Sequence, residues 1–492
     1  MNKYIKTIAV LSVLTLTTSC NLDPEITEYI PQGRHDELVA DSDVVNNVAK
    51  AALSKTYAIF QEFYRSHDDF GLKAFHIATD LMCEDVAYRN WNWFQFDYQL
   101  DNREANYRRT NSTWKQFYKI ISNVNKHLET YFQKESSAPA YLASKSEAQA
   151  LRGIAFFHLV NFYQHTYKGH ENDPGVPIVL STDTVKLPRA TVKEVYEQII
   201  KDLTPLVEYG SYTEDRTDVD KGVAAAYLAK AYAQMEDWPN CEKYAAIAKK
   251  GADDVVSKPG RTWNIGKATD ILWGADVTPS NSSLWASFWS HMDEFLIRGY
   301  AAGGKKKLIH NLLYNKISKT DSRRKLWVNL KEYKDIADQV RQSSPNPNAK
   351  LEDYDQMKFV AGADGMEQDY SYIRVQDPIL LEIEAMVEQN KLTEAATLLN
   401  GFVQQRDPQF TAASTSEDLR EQVRFQRRIE LWGEGTNWFD MKRWKMTIDR
   451  TGDGSNHAAI FKVKTDEPKF YHMLPISEIE ANPLLKQNTP IK

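Results

Sequence analysis

Cysteine is scarce in this chain, which has three cysteines in 492 residues. Cys83 and Cys241 lack the even-numbered pattern of a disulfide framework and the close spacing of a metal site. We expect two half-buried free thiols at these positions, and a single bridge between them stays open as the alternative. The scarcity argues against a disulfide-stapled domain or a zinc module, and we predict no metal and no cofactor.

An excess of positive charge and long apolar runs are also missing. The chain has 61 Lys and Arg against 67 Asp and Glu, a net charge of -6, with no basic stripe. This composition argues against nucleic acid as a partner. The longest apolar run, residues 8–19, is too short to cross a bilayer as a helix. Zincin, nucleophile-elbow and phosphate-loop motifs are absent as well.

The N-terminus has the pattern of a secretory signal peptide. Lys3 and Lys6 precede the apolar run, and small residues lead to Cys20. This arrangement resembles a lipobox, in which the cysteine is acylated and becomes the mature N-terminus. We therefore predict a signal peptide at 1–19 and a lipidated N-terminus with a polar tether at 20–40. Plain secretion is the alternative.

Helical periodicity dominates residues 41–250 and 377–492. Two segments, 227–248 and 379–407, carry small residues where two helices must touch, in a pattern similar to tetratricopeptide (TPR) repeats. Thr191 and Glu194 have the spacing of a capping box. We predict a mainly α fold with a TPR-like scaffold of helical pairs. Residues 251–376, rich in Gly, Ser, Asn, Pro and Trp, are predicted to form an irregular, loop-rich lobe.

Residues 425–444 read FQRRIELWGEGTNWFDMKRW and indicate a corner between two helices. Gly433 and Gly435 provide the positive-φ freedom that a helix stop requires. Asn437 and Asp440 have the spacing of an N-cap pair for the second helix. We assign the tryptophans of this corner to the scaffold.

Two glutamates of the corner, Glu430 and Glu434, lie four residues apart and could suggest paired catalytic carboxylates. Arg427 and Arg428 are close by, so we expect a structural ion-pair network instead. An acidic stretch at 449–460 mimics a calcium loop but places isoleucine where a bidentate acid is required.

Five features coincide, and their order and spacing are specific: the lipid-type cysteine, the acidic polar tether, the helix containing ALRGIAFFHLVNFYQ, the TPR-like pairs and the ELWGEGTNWFDMKRW corner. Together they resemble the SusD/RagB family over essentially the whole mature chain. The resemblance implies a right-handed TPR-like superhelix on a surface-exposed, lipid-anchored protein of the outer membrane. It also implies non-catalytic capture of an oligosaccharide, or of a peptide, and its delivery to a SusC-like TonB-dependent barrel.

The first candidate ligand site is the segment 88–98, YRNWNWFQFDY. In an extended segment Trp91 and Trp93 would point the same way, and aromatic faces stack on the apolar faces of sugar rings. Asn92 and Arg89 are candidate partners for the hydroxyl groups. The alternative is an aromatic strand that packs inward.

The second candidate site includes Trp285 and Trp289, which would share one face of a local helix, with Asn281 as a nearby polar group. Core packing and contact with the barrel are the alternatives here. Two other classes of function remain open. A surface glycoside hydrolase would need two carboxylates about 5–10 Å apart in a pocket. A TPR adaptor would carry a protein ligand in a helical groove and would have no aromatic shelf.

Overall fold

The computed structural model describes residues 42–183, 186–361 and 368–490. The predicted signal peptide, tether and lipidated Cys20 lie outside these residues. By their contacts, Val48–Lys492 form one unit and Met1–Asn47 another, of which only the start of the first helix is described. The predicted boundaries at 250 and 376 stay predictions.

The described residues contain sixteen α-helices and six short strands. The helices are α1 Ser42–Ile59, α2 Leu72–Leu81, α3 Gln95–Tyr98, α4 Arg108–Tyr131, α5 Pro139–Tyr163, α6 Val192–Tyr209, α7 Lys221–Met235, α8 Trp238–Ala248, α9 Phe288–Met292, α10 Asn311–Tyr314, α11 Lys334–Gln342, α12 Gln376–Glu388, α13 Leu392–Val403, α14 Ser416–Glu430, α15 Asn437–Arg443 and α16 Ile476–Ala481. The strands are β1 Val86–Tyr88, β2 Ile271–Ala275, β3 Lys307–Ile309, β4 Tyr370–Arg374, β5 Thr447–Asp449 and β6 Lys462–Lys464. The prediction of a mainly α fold is confirmed.

Successive helices pack against one another, which is consistent with the TPR-like pattern. Helices α4 to α8 follow one another in contact, and α8 also packs on α12. The two predicted repeat copies, distant in sequence, are therefore neighbours in space. Their contact surfaces are made of small residues such as Ala231, Ala245 and Ala385, each fully buried. Small side chains let the helix backbones approach closely. The handedness of the superhelix stays a prediction.

Most predicted local signals are present. Thr191 and Glu194 form the expected capping box at the start of α6. Residues 271–275 form β2, which pairs antiparallel with β4. The first helix ends at Ile59. The reason is that the carbonyl of Phe60 accepts hydrogen bonds from the backbone N–H of Leu72 and the hydroxyl of Tyr372, which starts a turn.

The short ladder between β1 and β3 connects the N-terminal region with the loop-rich lobe. Val86 pairs with Ile309 and Tyr88 with Lys307, in antiparallel register. The backbone N–H of Arg89 extends the ladder to the carbonyl of Lys306 at 2.9 Å. The chain leaving β1 therefore runs beside the chain that enters β3. This pairing brings the segment around residue 93 next to the loop around residue 300.

The corner at 425–444 has the predicted shape. Gly433 and Gly435 have φ of 76° and 79°, and a Cβ on Gly435 would lie 2.6 Å from the Cα of His76. Only glycine fits there. The predicted N-cap pair is wrong. Thr436 holds the N-cap position without a side-chain cap, and the carboxylate of Asp440 binds arginines instead of the helix N-terminus.

The ion-pair network of the corner exists, but its partners differ from those predicted. Glu434 binds Arg374 at 2.6 Å and Lys358 at 2.5 Å. Glu430 binds Arg406 at 2.9 Å, Arg323 at 3.2 Å and the same Arg374 at 3.3 Å. Burial alone would raise the pKa of Glu430, but the surrounding guanidinium groups outweigh it and hold the pKa well below its usual range. The negative charges of both glutamates are thus balanced by these basic side chains, and both groups are structural.

The two arginines expected to serve these glutamates bind elsewhere. Arg427 pairs with Asp377 at 2.8 Å, and Arg428 pairs with Glu84 at 2.7 Å. Arg428 and Glu430 are two residues apart, so they project from different sides of α14 and cannot face each other. Sequence proximity therefore suggested the wrong partners, whereas the scaffold role of the corner is confirmed by the burial of Trp432 and Trp438.

Candidate functional site

An aromatic cluster lies where the loop-rich lobe meets the segment that follows β1. Tyr300 is at its centre. The ring centroid of Tyr300 lies 5.2 Å from that of Trp285, 6.2 Å from that of Trp93 and 5.8 Å from that of His67. Trp285 is 40% exposed, and the other three rings are half-buried. We call these four residues the aromatic shelf.

The shelf rests on a buried histidine. His291 stacks against Tyr300, with ring centroids 4.7 Å apart and planes inclined by 19°. Its Nε2 is 2.8 Å from the carbonyl oxygen of His67. Burial lowers the pKa of His291 well below its usual value, so the supporting imidazole is neutral at neutral pH. The shelf is therefore held by packing and hydrogen bonds, without a charge beneath it.

The backbone fixes Tyr300 in place. Its N–H donates to Oγ of Ser290 at 3.2 Å, and the N–H of Ala301 donates to the carbonyl of Ser290 at 2.9 Å. Ser290 belongs to α9, whose first turn is capped by the side chain of Ser287. The short helix thus anchors the loop that carries Tyr300.

A groove of about 780 Å³ opens beside the shelf. His67 belongs to both the shelf and the groove wall. Asn281 lines the groove, with its Nδ2 donating to Oε1 of Gln61 at 3.1 Å and its Oδ1 accepting from the N–H of Thr278 at 2.7 Å. The wall also carries hydroxyl, amide and ammonium groups, among them Ser280, Ser282, Ser283, Asn123 and Lys55, and the carboxylate of Glu62. Such groups match the hydroxyl rim of a sugar.

The two predicted ligand segments each contribute one tryptophan to the shelf. Trp93 and Trp285 are 192 positions apart in sequence, and both contact Tyr300. Trp91 does not join them. It packs on Tyr98 at 5.6 Å between ring centroids. The expectation that Trp91 and Trp93 point the same way is wrong because the segment turns into α3 instead of staying extended.

Trp289 also lies away from the shelf. It is 1% exposed, and its Nε1 donates to the carbonyl of Gln368 at 2.8 Å. The predicted shared face with Trp285 is wrong because α9 starts at Phe288, so Trp285 precedes the helix. Trp289 is a core residue, which was the alternative prediction for this segment.

Of the predicted polar partners in the first segment, Arg89 has its side chain engaged elsewhere. Nη1 of Arg89 binds Asp355 at 2.9 Å and Glu352 at 3.1 Å, at the edge of a separate polar pocket of about 400 Å³. The backbone N–H of Asn92 donates to the hydroxyl of Tyr88 at 3.1 Å. Neither side chain is a member of the shelf. Sequence reasoning missed His67 and Tyr300, because no strand or helix spacing links either residue to the two tryptophan segments.

The described residues give little support to a metal site, a calcium loop or a disulfide. Within residues 42–183, 186–361 and 368–490, no group of three His, Cys, Asp or Glu side chains is placed to hold a metal. Asp449 of the calcium-like stretch binds Lys462 at 2.7 Å and accepts hydrogen bonds from Thr451. Cys83 and Cys241 are both free and buried, which rules out the bridge between them.

Comparison with known protein families gives two matches that together cover most of the described chain. Residues 40–233 match a SusD-like family described as starch-binding and associating with the outer membrane. Residues 309–490 match the SusD family. The chain belongs to the SusD/RagB family. This family consists of substrate-binding proteins that include carbohydrate binders.

Individual SusD relatives support the assignment. A SusD-like protein of Bacteroides ovatus is 22% identical over 407 residues, covering 73% of this chain and 69% of the relative. The crystal structure of a SusD-like carbohydrate-binding protein from Bacteroides vulgatus matches with a TM-score of 0.76 at 21% identity, over 89% of this chain and 97% of that one. A SusD superfamily protein from Bacteroides thetaiotaomicron matches with a TM-score of 0.74 at 21% identity, over 90% of this chain and 100% of that one.

These structural matches show the SusD fold. Every helix in the described part of the chain is too short or too polar to cross a bilayer.

Proposed function

We propose that this protein is a non-catalytic glycan-binding lipoprotein of the cell surface. The observation that carries the proposal is the aromatic shelf, in which Trp93, Trp285 and Tyr300 meet beside a groove with a polar wall. Stacked aromatic faces and a hydroxyl-binding rim are the two chemistries that sugar recognition requires. Membership of a family with carbohydrate-binding relatives agrees with this ligand class.

The proposed mechanism is capture followed by delivery. The shelf holds an oligosaccharide, and a SusC-like TonB-dependent barrel receives it. Acylation of Cys20 would keep the protein at the outer membrane, since each buried methylene of a lipid chain contributes about 0.8 kcal/mol. Replacing Cys20 with alanine is therefore expected to move the protein from the membrane fraction to the soluble fraction. Retention in the membrane fraction would contradict the lipid anchor.

The ligand class can be tested by native gel electrophoresis with polysaccharides in the gel matrix. The purified protein is expected to be retarded by at least one polysaccharide and to release no reducing ends from it. Release of reducing ends would contradict the non-catalytic proposal and favour a glycoside hydrolase. Binding of a peptide library without retardation by any polysaccharide would contradict the glycan proposal and favour a peptide importer.

A further inference from the structure

A second groove, of about 890 Å³, lies next to the first. Three residues, Glu62, Phe63 and Lys119, line both grooves. Each volume falls within the roughly 300–1,000 Å³ of a site for one small molecule. The shelf, the first groove and the second groove therefore follow one another along the surface, with His67 and Phe63 at the two junctions.

The second groove offers aromatic and apolar surface. Phe63 is 50% exposed, Tyr64 is 43% exposed and Leu180 is 44% exposed. Trp114, in helix α4, forms part of the wall. The exposed rings of Phe63 and Tyr64 are suited to stacking on the apolar faces of sugar rings, whereas Trp114 is only 4% exposed. The second groove thus repeats the chemistry of the shelf at a distance from it.

The wall of the second groove includes residues 177–183, which form neither helix nor strand, and side chains of α4 hold this segment in place. The hydroxyl of Tyr118 donates to the carbonyl of Pro177 at 2.8 Å, and Nδ2 of Asn125 donates to the carbonyl of Val179 at 3.0 Å. The wall is thereby fixed without regular secondary structure. A preformed groove binds a ligand without a large ordering cost.

The boundary between the two grooves is a polar ridge. Nζ of Lys119 lies 2.6 Å from Oε1 of Glu62, and both side chains are about half exposed, at 50% and 41%. An exposed pair of this kind contributes little to stability. Both groups can therefore exchange their mutual contact for hydrogen bonds to ligand hydroxyls, and Phe63, which lines both grooves beside them, adds an exposed aromatic face at the same boundary.

We infer that the shelf and the two grooves form one continuous site for a long linear oligosaccharide. The shelf binds one end of the glycan, the ridge bonds its hydroxyls, and Phe63 with Tyr64 stacks on rings further along the chain. The inference rests on the proposed function and narrows its substrate class to extended chains. Short oligosaccharides would occupy the shelf alone.

A length series tests this inference. The probe is the polysaccharide that retards the protein most strongly, partially hydrolysed and separated by size. Titration calorimetry with the full-length protein is expected to show an affinity that rises at least tenfold from short to long fragments. The double variant Phe63→Ala/Tyr64→Ala should lose at least fivefold affinity for long fragments and keep the affinity for short ones. Tyr209→Ala, which removes a tyrosine that is also 43% exposed, serves as the matched control.

Hydrogen exchange provides a readout that does not depend on the variants. Long fragments should protect the backbone of residues 177–183, and short fragments should not. Equal affinity for all lengths, or equal losses for short and long fragments in the double variant, would overturn the inference while leaving glycan binding at the shelf intact. A double variant that loses only its association with a barrel would assign the second groove to protein docking. Failure of every polysaccharide to bind would instead refute the proposed function itself.

Discussion

The hydroxyl of Tyr300 lies 2.5 Å from Nδ1 of His67, a hydrogen bond between residues that are 233 positions apart in the sequence. Both rings also contact Trp93, at 6.2 Å and 5.0 Å between centroids. The shelf therefore assembles from three distant segments. The β1–β3 ladder and the hydrogen bonds that Tyr300 and Ala301 donate to Ser290 hold these segments together.

The two tryptophans of the second candidate segment should differ sharply in their effect on stability. Trp289→Ala removes a ring that is 1% exposed and is expected to lower the free energy of unfolding by about 3–5 kcal/mol. Trp285→Ala removes a ring that is 40% exposed and should cost about 1 kcal/mol or less. Urea denaturation followed by circular dichroism measures both values. Equal losses in the two variants would contradict the assignment of Trp289 to the core.

Arg374 is expected to be indispensable for folding stability. It is fully buried and binds Glu430, Glu434 and Asp270. Arg374→Met would leave buried carboxylates with fewer counter-charges, which costs about 3–5 kcal/mol when one partner of a buried pair is removed.

The control for Arg374→Met is Lys334→Gln, which breaks an ion pair with Asp338 on the exposed face of α11. This control should leave the free energy of unfolding nearly unchanged. Thermal denaturation of both variants makes the comparison. A melting temperature of Arg374→Met equal to that of the control would show that the buried network does not stabilise the fold.

The buried carboxyl group of Asp80 should make the free energy of unfolding depend on pH. Burial raises the pKa of Asp80 to about 7, while the N–H of Gly435 donates to its Oδ2 at 2.9 Å. In the unfolded chain the same carboxyl ionises near pH 4. Between about pH 4 and pH 7 the folded state holds more protons than the unfolded state, so this group's contribution to stability falls as the pH rises.

Asp80→Asn keeps an acceptor oxygen for Gly435 and cannot ionise. The variant should match the wild-type protein near pH 4 and exceed its stability by on the order of 2–4 kcal/mol at pH 8. Urea denaturation across this pH range measures the difference. A difference that stays constant with pH would contradict the raised pKa of Asp80.

The sequence was a good guide to the helical scaffold because local rules determine much of it. Periodicity, the capping box at Thr191 and the small residues near Ala231 and Ala245 all correspond to observed elements. Glycine is required at the corner because these positions have positive φ angles, so this feature too can be recognised from the local sequence. The partners of Glu430 and Glu434 were not predictable, because Arg323, Lys358, Arg374 and Arg406 come from distant segments.

The site was only partly predictable from the sequence, because its residues also come from segments that are distant in the chain. Trp93 and Trp285 stood out as aromatic residues in polar surroundings, and both reached the shelf. Trp91 and Trp289 had equally suggestive spacing, but spacing assumes one regular strand or helix. Residues 91–93 form no strand, and α9 begins at Phe288, after Trp285. The residue that unites the shelf, Tyr300, has no local signal, since its role depends on three-dimensional packing.

Affinity electrophoresis of Trp93→Ala/Trp285→Ala, beside the wild-type protein and the Tyr209→Ala control, tests the aromatic shelf most directly. Each aromatic contact contributes roughly 0.5–1.5 kcal/mol, so removal of both should weaken binding of the retarding polysaccharide by about tenfold or more. The control should be retarded like the wild-type protein. Unchanged retardation of the double variant, with an unchanged melting temperature, would contradict the shelf as the glycan-binding site.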